Sequence, residues 1–262
     1  MGKNETISYE DRLALFRQII DESQKIVFFG GAGVSTASGI PDFRSVNGLY
    51  NTKDEEFAGD APEYLLSSAC FNHDTKKFFR FYRKYMDVRK YEPNVVHKKL
   101  AELEKAGKML GIVTQNVDML HEKAGSEKVF KIHGTISENY CIQCGEEYGI
   151  DFIFENTDPI PRCPNCNGHC NYVKPKVVLY GENLPYDAKC NAYDAITDAD
   201  CMIVAGTSLA VQPAASFVGD WFVDNMKRKG SKLIILNRDE IAYEDKASVV
   251  FREDMNKVFK DL

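Results

Sequence analysis

At 262 residues, with 44% hydrophobic and 27% charged side chains, the chain can bury a full core as one large α/β domain with an insertion or as two small domains. A formal charge of −6 argues against direct binding to a polyanion such as DNA and mildly favours a lysine-rich protein segment as partner. No apolar run approaches the roughly 20 residues of a membrane span, and no basic stretch followed by an apolar one opens the chain. The expectation is a soluble, unsecreted, cytoplasmic protein with no nucleic-acid or membrane partner.

Tyr9 to Gln24 carries Leu13, Phe16, Ile19 and Ile20 at helical spacing behind leading acids, which predicts an amphipathic helix. It feeds the apolar run Lys25-Ile26-Val27-Phe28-Phe29, which ends in Gly30-Gly31-Ala32-Gly33 and continues through Val34-Ser35-Thr36-Ala37-Ser38-Gly39-Ile40-Pro41-Asp42-Phe43-Arg44-Ser45. A buried strand running into closely spaced glycines outlines a nucleotide cradle, because the missing Cβ lets backbone N–H groups approach a phosphate. By itself the cluster is a weak signal, since Gly31-Ala32-Gly33 lacks the third glycine of G-x-G-x-x-G at its usual offset. Pro41-Asp42-Phe43-Arg44 sharpens it by setting an acid, a ring and a guanidinium just past the turn, a set better suited to a ligand than to a core.

Asn47 to Pro62 is polar and irregular. Glu63 to Arg89 predicts one or two helices whose aromatic stripe, including Phe71, Phe78, Phe79, Phe81, Tyr82 and Tyr85, reads as a small helical core. From Pro93 the pattern alternates helix and strand: VVHKKLAELEKAG, MLGIVTQN, VDMLHEKAG, KVFKIHG, and later PKVVLYG, CMIVAG, KLIILN and ASVVF. Short continuous apolar strands alternating with helices predict a parallel sheet covered on both faces. Glu138 to Val173 breaks this grammar and reads as an inserted module, and Asp254 to Phe259 as a short last helix.

Inside the insert, Cys141-Ile-Gln-Cys144 and Cys163-Pro-Asn-Cys166 form C-x2-C twice, at a separation expected of a zinc ribbon. Each turn offers two thiolates, and two turns complete a tetrahedron around Zn²⁺. Four thiolates leave no open coordination position, so the metal would be structural. His169 and Cys170 lie near enough to substitute as ligands, although the spacing favours the two pairs. Cys70, Cys190 and Cys201 read as ordinary thiols.

In an open α/β sheet the ligand lies beyond the carboxyl ends of the strands. Thr114-Gln115-Asn116-Val117-Asp118, His133-Gly134, Gly206-Thr207-Ser208 and Asn237 end four of the predicted strands. His73, His97, His121 and His169 read as core or surface residues. His133 differs, because it ends a strand beside a glycine and faces the crevice of Asn116 and Asp118.

GAGVSTASGIPDFRS, TQNVDMLHEKAG, KIHG, the two cysteine pairs, KPKVVLYGENLP, GTSLAVQP and the LN of Asn237 follow one another along nearly the whole chain, and together they resemble the motifs of the sirtuins, the NAD-dependent protein-lysine deacylases. The resemblance implies a Rossmann-type domain (residues 9–46, 92–137 and 174–262) with a smaller lobe made of a helical module (47–91) and a zinc module (138–173). NAD⁺ and the acyl-lysine of a protein or peptide would enter the cleft between them. Ala32, Thr36, Phe43 and Arg44 would contact NAD⁺, Gln115 the nicotinamide ribose, and Asn116, Val117 and Asp118 the nicotinamide. Thr207 and Ser208 would meet the phosphates and neighbouring ribose, with Asn237 and Met255 at the adenosine end. Phe43, His133, Val178 and Tyr180 would line the acyl-lysine tunnel, and the peptide would lie as an added strand between Gly181-Glu182-Asn183 and Ser208-Leu209-Ala210-Val211. His133 and Asn116 would be the catalytic pair. The amide oxygen attacks ribose C1′ as nicotinamide leaves, giving an O-alkylimidate that His133 helps resolve as general base. Water then yields lysine and O-acyl-ADP-ribose.

Three positions depart from the family pattern: Gly30 where threonine is common, Lys174 before Pro175 where arginine is common, and Tyr180 where phenylalanine usually precedes Gly-Glu. Tyr82 followed by Tyr85, in place of tyrosine and arginine three residues apart, counts against succinyl or malonyl substrates. The rival readings are a sirtuin-like ADP-ribosyltransferase or lipoamide-directed enzyme, and a non-catalytic NAD⁺-binding sensor. Intact Asn116 and His133 favour the deacylase.

Overall fold

Ser8 starts helix α1 (Tyr9–Glu22) by accepting the Asp11 N–H on its hydroxyl, and Leu13, Phe16, Ile19 and Ile20 are the face the helix buries. The chain enters strand β1 (Ile26–Gly30), buried at every position. Helices α2 (Pro62–Leu65), α3 (Ser68–His73) and α4 (Thr75–Tyr85) follow, three where one or two were expected. The extra breaks are caps: Ser67 Oγ accepts from the Cys70 N–H, and Asp74 ends α3 and accepts from the Lys77 N–H to start α4.

Next come α5 (Val95–Lys105), β2 (Met109–Thr114), α6 (Leu120–Lys123), β3 (Val129–Lys131), β4 (Gly134–Cys141), β5 (Glu147–Gly149), α7 (Asp151–Phe154) and β6 (Val173–Val177). The chain closes with α8 (Tyr186–Asp198), β7 (Cys201–Ala205), α9 (Ser216–Asn225), β8 (Lys232–Leu236), β9 (Val249–Phe251) and α10 (Met255–Asp261). This computed structural model describes residues 7–43, 48–51, 54–166, 170–225 and 230–262.

Six strands form one sheet in the order β3-β2-β1-β7-β8-β9, every neighbouring pair parallel. Alternate residues of each strand serve opposite faces. Ile26, Phe28, Ile112, Ile203 and Ile234 pack on one side with Phe16 and Ile19 of α1, Val96 and Leu100 of α5 and Phe259 of α10. Val27, Phe29, Val113, Val204 and Ile235 pack on the other with Ile196 of α8 and Phe217 and Trp221 of α9. The continuous apolar strands are thus accounted for: both faces are covered. Among the described residues no helix is long and apolar enough to cross a membrane.

PKVVLYG does not join this sheet. β6 pairs antiparallel with β4, and β4 with β5, in a separate three-stranded sheet. Pro175 lacks the N–H that an interior strand of a parallel sheet must donate, which the apolar count of the segment concealed. The small sheet reaches from Gly134 to Val177, past both limits of the insert read from the sequence. Its inner face and Leu179 complete the core of α2 to α4, where Phe71, Phe78, Phe79 and Tyr82 are buried against Ile136 and Ile153.

Behind β1, His97 of α5 and His121 of α6 are buried with ring centroids 4.7 Å apart. His97 Nδ1 accepts the Asn94 N–H in a capping box. Burial pushes His97 from 6.5 down to about 4, and burial together with its neighbour lowers His121 as well. In this depressed case the unfolded chain takes up protons first. Stability is full above pH 6.5 and is lost as pH falls from there toward the folded value. The loss from His97 alone at pH 5 is about 2 kcal/mol, read as a lower denaturant midpoint than at pH 7, with a smaller drop in His97→Gln. Equal midpoints at the two pH values would contradict it.

Candidate active site

The sheet order reverses at β1, whose neighbours β2 and β7 lie on its two sides, so a crevice opens beyond the carboxyl ends of β1 and β7. The glycine turn sits at this point. Gly31 N–H donates to the Ala205 carbonyl at 3.1 Å and Gly33 N–H to the Gly206 carbonyl at 2.9 Å. A Cβ on Gly33 would lie 2.7 Å from Gly206 Cα, and one on Gly31 2.7 Å from the Gly206 oxygen. These two glycines therefore let one turn close upon another. Their N–H groups are engaged there, which revises the expectation that they reach toward a phosphate. Asn94 Nδ2 holds the same turn through Val34 O at 2.8 Å and Ser38 Oγ at 3.1 Å.

A cavity of about 550 Å³ occupies the crevice. It brings together Ala32, Thr36 and Phe43 after β1, Gln115, Asn116 and Val117 after β2, and His133 after β3. Thr207 and Ser208 after β7, Asn237 after β8, Met255 at the start of α10, and Val178 and Tyr180 after β6 line it too. Arg44 lies outside the described residues. Asp118 is behind the wall: its carboxylate accepts from Ser35 Oγ at 2.6 Å and from the Leu120 N–H at 3.0 Å. Burial raises its pKa, and those two bonds partly offset the shift. Asn116 Nδ2 also donates to Ser35 Oγ, at 3.1 Å. Asp118 thus positions Ser35, and through it Asn116, from behind.

Gln115 spans the crevice, its Nε2 donating to Thr207 Oγ1 at 2.9 Å, while its carbonyl lies 2.9 Å from His133 Nδ1. A carbonyl only accepts, so Nδ1 carries the proton and Nε2 keeps its lone pair. Burial lowers the His133 pKa and the Gln115 bond works against it, leaving a neutral imidazole near pH 7. Gly134 follows with φ +76, and a Cβ there would meet the Lys176 carbonyl at 1.9 Å. The His133 carbonyl accepts from the Val178 N–H at 2.9 Å. The base and the tunnel wall are therefore stitched together through the small sheet.

Glu182 accepts from buried Lys174 at 3.1 Å and from the Leu179 N–H at 2.9 Å, bracing the segment that precedes Gly181-Glu182-Asn183. Gly181, Glu182, Ser208 and Val211 line the cavity. Leu66, Met86 and Tyr50 line it as well. Nothing in their local sequence marks them, whereas Asn94, just ahead of a helical pattern, carried a cap signal. Tyr82 and Tyr85 do not reach the cavity: Tyr82 is stacked between Phe78 and Phe154, and the Tyr85 hydroxyl donates to Asp54.

In the small sheet the Sγ atoms of Cys141, Cys144, Cys163 and Cys166 all lie within 4.8 Å of one another, with Cys141 and Cys166 at 3.5 Å and Cys144 and Cys163 at 3.7 Å. A tetrahedron of ~2.3 Å Zn–S bonds spaces its sulfurs by about 3.8 Å, so the four thiols fit a structural zinc. Cys170 is exposed and outside the cluster, and His169 lies outside the described residues. Cys70 and Cys201 are buried, their thiols pushed up to about 11 and about 12, as inert core thiols are.

Residues 31–213 match the model of the Sir2 family. The chain is 44% identical over 250 residues, 95% of it and 97% of the relative, to an NAD-dependent protein deacetylase of Clostridium acetobutylicum. Among solved structures it is similar to a Sir2 complex with p53 peptide and NAD⁺ at TM-score 0.80 and 33% identity, covering 95% of each chain. It also resembles Sir2Tm bound to a propionylated peptide, at TM-score 0.81 and 31% identity with 95% of each chain covered. A family match over most of the chain, a relative aligned along nearly its whole length and a shared architecture have one meaning: the chain belongs to the Sir2 family, the sirtuins.

Proposed function

We propose that this chain removes acyl groups, chiefly acetyl, from lysine side chains of proteins at the expense of NAD⁺, releasing nicotinamide and O-acyl-ADP-ribose. The observation that carries the reading is the neutral His133, its Nδ1 proton given to the Gln115 carbonyl, in one cavity with the glycine turn, Thr207 and the wall of Val178 and Tyr180. The relative from Clostridium acetobutylicum named as an NAD-dependent protein deacetylase supports it.

NAD⁺, when bound, supplies a ribose carbon made electrophilic by departure of nicotinamide. Ala32, Thr36, Phe43 and Arg44 would contact it, Phe43 on the nicotinamide side, Gln115 would hold the nicotinamide ribose, Thr207 and Ser208 the phosphates and neighbouring ribose, and Asn237 and Met255 the adenosine end. Asn116, fixed by Ser35 and Asp118, would orient the reacting end together with Val117. Phe43, Val178 and Tyr180 would exclude water around the acyl-lysine, so that its weakly nucleophilic oxygen gains from proximity. His133 would take a proton at Nε2 from a ribose hydroxyl. The four cysteines would hold zinc to brace the small sheet, outside the chemistry. The division into a large domain, a helical module and a zinc module belongs to this reading. So does a cytoplasmic setting, which the four clustered thiols suit, since thiols stay reduced there.

The test is nicotinamide release from NAD⁺ with an acetyl-lysine peptide, its unmodified twin, and no peptide, both products being followed by mass. One O-acetyl-ADP-ribose per nicotinamide, only with the acetylated peptide, is the expected result. Release without acyl-lysine would point to the transferase reading, and NAD⁺ binding without release to the sensor.

A further inference from the structure

Two tyrosine hydroxyls meet across the cavity that holds His133. Tyr50 and Tyr180 both line it, and their oxygens are hydrogen-bonded at 2.6 Å. They come from segments far apart in the chain. Tyr50 closes the loop that carries Phe43, its N–H donating to the Phe43 carbonyl at 2.9 Å, with the two rings 5.4 Å apart. Tyr180 continues past β6 and is clamped by main-chain bonds to the helical module: its N–H donates to Leu66 O at 3.0 Å, and its carbonyl accepts the Ser68 N–H at 3.0 Å. These main-chain bonds fix the two backbone positions from which the phenols meet.

The lining around this pair is apolar. Leu66, Met86, Val117, Val177 and Leu179 all face the same cavity, and Leu66, Met86, Val177 and Leu179 are buried. Such a surface is ready to take methylene groups beyond an acetyl. The hydroxyl pair is what opposes them. A chain long enough to pass between the two phenols must part them and leave the Tyr180 hydroxyl against hydrocarbon, losing a bond that water no longer replaces.

We propose that the Tyr50–Tyr180 hydroxyl pair is the specificity-determining gate of the acyl tunnel, admitting short acyl groups and disfavouring long ones. The inference rests on the deacylase reading and names its substrate class: lysines bearing short acyl groups. It also explains what a tyrosine contributes where phenylalanine would serve to fill space. A phenylalanine at 180 keeps the ring and its packing while removing the bond.

The experiment compares kcat/KM for one peptide carrying acetyl-, butyryl- or octanoyl-lysine, in the unaltered chain and in Tyr180→Phe, Tyr50→Phe and the double variant. The octanoyl-to-acetyl ratio is expected to rise about tenfold in each single variant, through KM for the acyl peptide. In the double variant it should rise no further, because the two hydroxyls make one bond. Turnover with ratios unchanged in both single variants overturns the gate while leaving the deacylase reading intact. Independent, additive rises in the double variant also overturn it, since they deny the shared bond. No turnover of any acyl peptide by the unaltered chain overturns the deacylase reading and the gate with it.

Discussion

His133→Ala is expected to lower the rate of deacylation by about a thousandfold while leaving NAD⁺ affinity within roughly a few-fold. The separation follows from where the residue's bonds go. His133 is held through Nδ1 by the Gln115 main chain, whereas the Gln115 side chain reaches Thr207 independently. The glycine turn is fixed by Ala205, Gly206 and Asn94. Deleting the imidazole therefore takes the base from the cavity without releasing the groups assigned to the cofactor. Isothermal titration with NAD⁺ and single-turnover product analysis read the two effects apart. The acid limb of kcat/KM adds a second check. Burial holds the folded pKa below 6.5, so the base is neutral across pH 7 and activity falls only as pH drops below the ordinary imidazole value. Near-normal turnover in the variant, or an acid limb centred above pH 6.5, would remove His133 from the chemistry.

Much of this architecture could be read from the chain because period and punctuation agreed. The continuous apolar runs at 26–30, 109–114, 201–205 and 232–236 became the inner strands of the parallel sheet, and the helical spacing of Leu13, Phe16, Ile19 and Ile20 became the buried face of α1. The cysteine spacing was legible for a different reason: a metal imposes its own geometry on short turns, so four positions carry the whole signal. Strand ends were legible because a parallel sheet gathers them, which placed Asn116, His133, Thr207 and Asn237 in one cavity.

What escaped depends on partners distant in the chain. The apolar content of PKVVLYG does not tell a parallel strand from an antiparallel one, and only Pro175 hinted that it belongs to the small sheet. The bonds by which Ser35 Oγ and the Leu120 N–H hold the Asp118 carboxylate could not be read from its charge. The glycines suggested a phosphate cradle, and their N–H groups close on the β7 turn instead. Leu66 and Met86 line the cavity from a helical module whose approach to the sheet no local pattern encodes.

Chelation of zinc is expected to abolish activity and to expose four further thiols per chain, in step with each other. Around the cysteines themselves little else holds the chain, although Ile153 packs into the helical core further along. The buried cluster there is Cys141, Cys163 and Val173, with Tyr148, Phe152 and Cys166 packed partly against it, too small an apolar core to order the cysteine-bearing turns alone. Four thiolates this close repel unless a cation sits among them, and zinc binding at such sites contributes about 10 kcal/mol or more to folding. The damage has a route to the chemistry. Cys141 ends the strand that Gly134 begins, that strand pairs with β6, and the Val178 N–H beyond β6 donates to the His133 carbonyl. Loosening the cysteine cluster thus frees the base and the tunnel wall together. Cys144→Ser should act in the same direction without a chelator. Titrating thiols and following turnover in the same samples decides the matter: activity retained after four additional thiols react would show that the metal holds nothing the reaction needs, whereas parallel loss, restored by added Zn²⁺, fixes its role as structural support for His133.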